Sequence, residues 1–223
     1  MGNNGFFFEI SKGAVCAGNV FVDCRHGIDV LNSSNVQIYN NTLVNSPVMI
    51  GRTPRSAEGD HFGWHPSTGP DVDERYGHIF VNNLIAVDEN YYESLFITFQ
   101  TPDLCEKLSK PQLDKMDYNI YVRTPGNKSQ PFMLWSPAKV ESCNKEIEVL
   151  SDLHKMHSEF SGSSKSYVDY DGPLFKSWKL GNFELLSEFS GSKIGYKLPG
   201  EVNELLGFSG EDVPFIGAYP PLR

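Results

Sequence analysis

One short phrase recurs along this chain and restricts its fold more than any other feature. An Asn followed by strand-forming apolar residues occurs at Asn19, Asn41 and Asn83, with a weaker copy at Asn119. The first spacing is 22 residues, and the next two, 42 and 36 residues, fit one coil plus an insertion. Such a repeat indicates a right-handed parallel β-helix. We therefore expect Asn19, Asn41 and Asn83 to stack at one corner, each in the left-handed conformation that Asn tolerates.

The cleanest coil predicts three strands, at 27–31, 35–39 and 42–44, with alternate side chains turned inward. An antiparallel sandwich of short strands is the alternative, but a sandwich has no reason to repeat one phrase at one period. We expect a single all-β domain spanning 1–223, a single-stranded, pectin-lyase-like parallel β-helix whose coils occupy residues 5–125. A tail at 139–223 should cover the coils. It should contain one or two short helices, at 151–160, across the outside of the coils, and at 201–206.

Composition excludes several classes of partner. The 223 residues carry a formal charge of −9, and the isoelectric point is about 5.1, which argues against nucleic acid and is compatible with uncharged carbohydrate. No apolar run of 18 residues and no signal-peptide pattern is present, so no membrane partner is predicted. Cys16, Cys24, Cys105 and Cys143 lack metal-binding spacing. We expect buried free thiols, with one or two disulfides as the alternative, and neither a cofactor nor a metal.

The first strand carries an expectation about assembly. Phe6 and Phe8 match Ile28 and Val30 one coil later and should point inward, yet no capping segment precedes them. We therefore expect either that N-terminal coils are missing, the chain being the C-terminal part of a longer protein, or that another subunit, as in a homo-oligomer, covers this end.

The densest polar and aromatic stretch is the loop insertion at 51–78. A long loop on a rigid scaffold is usually functional. One interpretation is a sugar-binding wall, in which Trp64 offers a ring face and polar side chains contact hydroxyls. The predicted substrate-binding residues are Arg52, Asp60, His61, Trp64 and His65.

Three other interpretations of this loop stay open. The loop could pack on itself, with its His side chains hydrogen-bonded internally. His61 and His65 have the spacing of a metal pair on a helix, but Gly63 disfavours a helix there. The acidic group at 71–74 could bind calcium, although it lacks the Gly and terminal Glu of a calcium loop and is more typical of a solvated turn.

Glu9 is the second candidate for chemistry. Phe7 and Glu9 should face outward beside Asp29 and Leu31. Such a Glu is either plain surface or, among aromatic neighbours, a general acid.

These residues resemble a known family. The segments Phe6–Gly13, Gly18–Phe21, Gly59–His61 and His78–Asn83 are similar to the catalytic half of glycoside hydrolase family 120, the β-xylosidase type within the pectate-lyase-like superfamily, over residues 5 to 90. The resemblance implies a retaining glycosidase acting on plant-type oligosaccharide or polysaccharide, with Glu9 as acid/base, and a secreted or periplasmic location. It also implies that the nucleophilic Asp lies on the preceding coil, which this chain lacks, so we expect weak sugar binding and little or no hydrolysis.

Asp29 is a weaker candidate for the missing carboxylate. Strand geometry places it about 8 Å from Glu9, which suits an inverting mechanism better than a retaining one. Two other classes stay open. A polysaccharide lyase could use Arg52 or Arg55 as base, but the acidic chain suits a polyanionic substrate poorly. A non-catalytic carbohydrate-binding or assembly module would need only the groove and the loop.

Overall fold

A computed structural model describes residues 3–55, 69–127, 129–208 and 214–220. The strands, in chain order, are β1 (Phe6–Glu9), β2 (Lys12–Ala17), β3 (Val20–Val22), β4 (Ile28–Leu31), β5 (Ser34–Tyr39), β6 (Thr42–Val44), β7 (Val48–Arg52), β8 (His78–Val81), β9 (Leu84–Val87), β10 (Phe96–Gln100), β11 (Leu113–Asp117), β12 (Ile120–Arg123), β13 (Met133–Trp135), β14 (Lys145–Ile147), β15 (Lys165–Tyr167), β16 (Phe175–Ser177) and β17 (Asn182–Leu185). The α-helices are α1 (Leu150–Met156) and α2 (Gly200–Leu205), and 3-10 turns occupy Val72–Glu74, Pro102–Leu104 and Ser190–Lys193.

Strands three apart in the chain lie side by side, which makes the architecture all-β with parallel sheets. Sheet A has the order β1-β4-β7-β10-β13-β14, sheet B the order β11-β8-β5-β2, and sheet C the order β15-β12-β9-β6-β3. Every pairing within these sheets is parallel except β13 with β14. Each turn of the chain therefore adds one strand to each sheet, as in a β-helix-like fold, and an antiparallel sandwich is not what forms.

The predicted register of the first coils is confirmed. Phe6 lies beside Ile28 and Phe8 beside Val30, while Phe7 lies beside Asp29 and Glu9 beside Leu31. Phe6 and Phe8 pack against the inner core, whose residues Ile28 and Val30 are completely buried. Because side chains alternate along a strand, Phe7 and Glu9 point outward.

The Asn ladder is also confirmed, with one correction. The side-chain amide of Asn41 accepts from Asn19 Nδ2 at 3.0 Å and donates to Asn83 Oδ1 at 3.0 Å, and Asn83 donates to Asn119 Oδ1 at 3.3 Å. The expectation that these Asn adopt the left-handed conformation is wrong. The residue before each of them has the positive φ: Gly18, Asn40, Asn82 and Tyr118.

At two corners, two Asn residues stand side by side and make different contacts. Asn41 and Asn83 turn inward and link the coils, whereas the left-handed Asn40 and Asn82 contact the C-terminal tail. Asn40 donates to the carbonyl oxygens of residues 215 and 217, and the Asn82 amide exchanges hydrogen bonds with the main chain of Tyr196. The corner repeat thus holds the coils together and anchors the tail.

The two predicted helices are present. Helix α1 is shorter than the predicted 151–160 and lies elsewhere than expected, while α2 matches the predicted 201–206 to within one residue at each end. Leu150 and Leu153 of α1 belong to the inner core, and the Phe160 ring that follows packs against Trp135, with ring centroids 5.4 Å apart. Helix α1 therefore closes the C-terminal end of the core and does not lie across the outside of the coils. The apolar side chains on the buried face of α1 require this position, because they must pack against the core.

The cysteine expectation is wrong for one pair. Cys105 and Cys143 form a disulfide, with Cα atoms 5.6 Å apart and a sequence separation of 38. Cys16 and Cys24 are free, and Cys16 is buried. The bond joins two loops at the edge of sheet A, after β10 and after β13, which the coil register brings together. Spacing along the sequence alone gave no sign of this proximity.

Candidate functional site

The tail covers two of the three sheets. Apolar side chains from sheet C and from the tail form one buried cluster: Val44, Leu84, Ala86, Ile120, Val122, Leu174, Phe175, Phe183, Leu185, Phe189 and Ile216. On sheet B, Tyr39 and Val81 are covered by Leu198 and Val202. Neither cluster includes an outward residue of sheet A, so the outer face of this sheet is the candidate site within the described chain.

Two parallel rows of side chains form this face. The first, here called the outer row, consists by register of Phe7, Asp29, Met49, Ile97 and Leu134. The second runs beside it through Glu9, Leu31, Gly51 and Phe99. Phe7 is 54% exposed, and the other apolar members of both rows are half-buried. The face is therefore a largely apolar surface with two carboxylates.

Gly51 shapes the second row. The Phe99 ring of the neighbouring strand lies directly over its Cα, so that any Cβ at residue 51 would overlap the ring. The absence of a side chain at Gly51 therefore gives the Phe99 ring its place on this face. A larger residue at position 51 would push it outward.

Glu9 belongs to an ion pair on this face. Its Oε1 accepts from Arg55 Nη1 at 2.8 Å, and the two side chains are 26% and 38% exposed. Arg55 is itself held by Arg75, which donates to the carbonyl oxygens of Thr53 at 2.6 Å and of Arg55 at 2.5 Å. Buried Arg75 therefore fixes the chain that leaves β7 and directs Arg55 toward Glu9.

Arg52 is buried behind the face. Its Nε donates to Gln100 Oε1 at 2.7 Å, and Nη2 donates to the carbonyl oxygens of Leu108 and Lys110 at 3.1 and 2.8 Å. Burial lowers its pKa to about 10. These contacts hold the loop after β10, so Arg52 lies at the edge of the site with its donors engaged inside the protein. Contact between Arg52 and a ligand stays a prediction.

Asp29 lies in the outer row but is only 4% exposed. Its Oδ2 accepts from Asn4 Nδ2 at 2.6 Å and lies 3.1 Å from His26 Nδ1, while its Oδ1 is buried without a hydrogen-bond partner. Register places Asp29 beside Phe7, two residues from the position opposite Glu9, as the sequence predicted. The structure thus brings Glu9 and Asp29 onto one face.

Most of the other residues predicted in the 51–78 loop are not described by the structure. Asp60, His61, Trp64 and His65 lie outside the described residues. In the acidic group at 71–74, Glu74 pairs with Lys12 at 3.1 Å on the surface, and this pairing lowers the Glu74 pKa. The part of the chain that the structure describes contains no group of three or more His, Cys, Asp or Glu that could hold a metal ion.

Sequence reasoning missed His26 and Phe99. His26 precedes a strand at a corner, where a polar residue is ordinary, and only its i,i+3 spacing to an outward Asp hinted at a pair. The position of Phe99 over Gly51 depends on the register of strands separated by an insertion.

Comparison with known proteins adds no relative. No family model, no curated protein and no solved structure matches this chain. No helix among the described residues has the length and apolar character needed to cross a membrane. The outer face of sheet A is therefore the feature of this chain from which a function can be inferred.

Proposed function

We propose that the outer face of sheet A binds an uncharged oligosaccharide, and that the chain is a carbohydrate-active, right-handed β-helix protein of the glycoside hydrolase family 120 type. The observation that carries the proposal is the outer row. This apolar stripe begins at exposed Phe7, contains Asp29 with its partner His26, and is flanked by the Glu9–Arg55 pair. Sugar rings bind to such surfaces because their C–H faces pack on apolar side chains while their hydroxyls need polar partners. The right-handed sense follows the strong preference of parallel-strand connections.

The charges on this face favour an uncharged ligand. Asp29 lies in the outer row and Glu9 beside it, in a chain with a formal charge of −9. A uronic acid chain would bring further carboxylates against them and lose affinity by like-charge repulsion. Xylan-type oligosaccharides carry no such charge, which agrees with the resemblance to β-xylosidases.

In this proposal Glu9 is the acid/base residue and the expected turnover is weak or absent. The other outward carboxylate of the first two coils, Asp29, is buried and hydrogen-bonded through one oxygen. Register places its Cα about 8 Å from that of Glu9. Carboxyl groups held at that separation would suit an inverting pair better than a retaining one. The burial of Asp29 makes it a poor base for water, so binding should be easier to detect than hydrolysis.

Titration with xylotetraose, followed by calorimetry or by NMR, tests the proposal. We expect a Kd of about 1 mM, equivalent to about 4 kcal/mol, and a roughly fivefold loss for Phe7→Ala because part of the apolar contact disappears. Val15→Ala is the matched control, since Val15 is 42% exposed on sheet B. No binding of xylotetraose, or preferential binding of trigalacturonate, would contradict the proposal, and the second result would favour a lyase.

A further inference from the structure

Asp29 is buried, and His26 is its partner at this end of the outer row. Asp29 Oδ2 accepts from Asn4 Nδ2 at 2.6 Å and contacts His26 Nδ1 at 3.1 Å. The second oxygen, Oδ1, is buried and unpaired. Neither oxygen is presented to a molecule lying on the outer row, so Asp29 as it stands cannot itself contact a ligand there.

His26 is the member of the pair that reaches the surface. Its side chain is 12% exposed, against 6% for that of Asp29. An ionised carboxylate only accepts hydrogen bonds, so His26 Nδ1 must carry the proton that points at Asp29. In the neutral ring Nε2 is then an acceptor, and within the described residues Nε2 has no hydrogen-bond partner. Asp29 thus fixes both the orientation of the ring and its tautomer.

We propose that His26, and not Asp29, is the polar side chain that contacts the ligand at this end of the outer row, with Asp29 as its positioning residue. The inference deepens the proposed function and depends on it. The His26 ring is hydrogen-bonded to the Asp29 carboxylate, and Asp29 lies between Phe7 and Met49 in the register. His26 Nε2 accepts a hydrogen bond from a sugar hydroxyl while the sugar ring packs on Phe7. A uronic acid carboxylate offers no proton to this nitrogen, so the pair disfavours a carboxylate at this point of the ligand and favours a hydroxyl.

A purely structural role for the pair makes different predictions. The same contacts tie Asn4 and the corner before β4 to the first coil, and a structural tie would alter stability without altering the ring's response to a ligand. Three measurements separate a structural role from a ligand-binding role: the position of the proton on Nδ1, the effect of ligand on the Nε2 signal, and the coupling between His26 and Asp29 in binding.

The experiment uses the full chain labelled with nitrogen-15 in its histidines, with xylotetraose as probe. We expect the His26 ring to show the Nδ1-protonated tautomer and its Nε2 signal to move on addition of xylotetraose. His26→Ala should weaken binding about 2- to 12-fold, the value of one hydrogen bond. Asp29→Ala should weaken binding similarly in the wild-type background and hardly at all in the His26→Ala background. His154→Ala, on α1, is the matched control, because His154 Nδ1 contacts only the Phe160 carbonyl oxygen.

Each result decides the matter. Xylotetraose binding that is sensitive to Phe7→Ala but unchanged by His26→Ala, with a stationary Nε2 signal, would overturn this inference and leave the proposed function intact. No xylotetraose binding by the wild-type protein would overturn both. If His26→Ala does not fold, His26→Gln and the wild-type Nε2 signal still give the answer.

Discussion

The Asn ladder offers a direct test of what holds the coils together. Asn41 is completely buried. Its side chain makes four hydrogen bonds with nitrogen and oxygen atoms, and its Oδ1 also accepts from Cys16 Sγ at 3.8 Å. Oδ1 accepts from Asn19 N and Nδ2, both at 3.0 Å. Nδ2 donates to the Cys16 carbonyl oxygen at 2.9 Å and to Asn83 Oδ1 at 3.0 Å. Every polar atom of this amide is therefore satisfied by the coil before it or the coil after it.

Asn41→Ala should remove this link without disturbing the main-chain conformation, because the residue with positive φ is its neighbour Asn40. The substitution leaves the Cys16 carbonyl oxygen without this partner. Each net hydrogen bond contributes about 1 kcal/mol, and an unsatisfied buried group costs about 1–3 kcal/mol. We expect the free energy of unfolding to fall by about 3–5 kcal/mol, a large share of the ~5–15 kcal/mol typical of a domain.

Urea denaturation followed by circular dichroism measures this change. Asn19→Ala is the matched control, because Asn19 is the exposed end of the ladder, and it should cost only about 1 kcal/mol. Asn41→Asp keeps the shape but replaces two donors with a buried charge, and should be at least as damaging as Asn41→Ala. Equal midpoints for Asn41→Ala and Asn19→Ala would refute the idea that the ladder links the coils.

Three further predictions concern other parts of the molecule. Burial lowers the pKa of His78 to about 4, so the unfolded chain binds the proton more tightly than the folded chain. The free energy of unfolding should therefore fall by about 2 kcal/mol between pH 6.5 and 5. A His78→Gln variant with the same pH dependence of unfolding as the wild type would contradict this. Replacing Cys105 and Cys143 by Ser should cost about 2–4 kcal/mol, since the disulfide closes a 38-residue span, and unchanged melting with reductant would argue against the bond. Among the described residues, β1 is the terminal strand of sheet A and carries the exposed Phe7. We therefore expect the protein to associate at high concentration, and light scattering that reports a monomer at every concentration would show otherwise.

The repeated phrase was sufficient to predict an all-β architecture with parallel sheets and the first register. Asn19, Asn41 and Asn83 mark equivalent corners, and once these are aligned the pairing of Phe7 with Asp29 and of Glu9 with Leu31 follows from counting residues. What counting could not supply is the conformation of each corner. Left-handed backbone falls on the residue before the ladder Asn, and both Gly18 and Tyr118 adopt this conformation, so residue type alone was a poor guide.

The candidate site was less predictable because its features depend on insertions and on partners distant in sequence. Cys105 and Cys143 meet only because β10 and β13 are neighbours in sheet A. Arg52 was an attractive ligand contact by position in a polar loop, yet its guanidinium is used by Gln100 and by main-chain carbonyl groups. Outward direction also did not guarantee exposure, because Asn4 and His26 cover the carboxylate of Asp29.

The position of the tail explains why one face, and not another, is available to a ligand. All three sheets present apolar residues outward, and apolar surface left in water is costly at about 25 cal/mol per Å². Sheet C meets this cost by packing Leu84 and Ile120 against Phe175 and Phe189 of the tail, and sheet B packs Val81 against Val202. The same tail covers the outer faces of sheets B and C but leaves Phe7 of sheet A 54% exposed. A chain that buries two apolar faces and leaves Phe7 exposed on the third, with the Glu9–Arg55 and His26–Asp29 pairs set among its apolar side chains, has the surface expected of a protein that exchanges a ligand there.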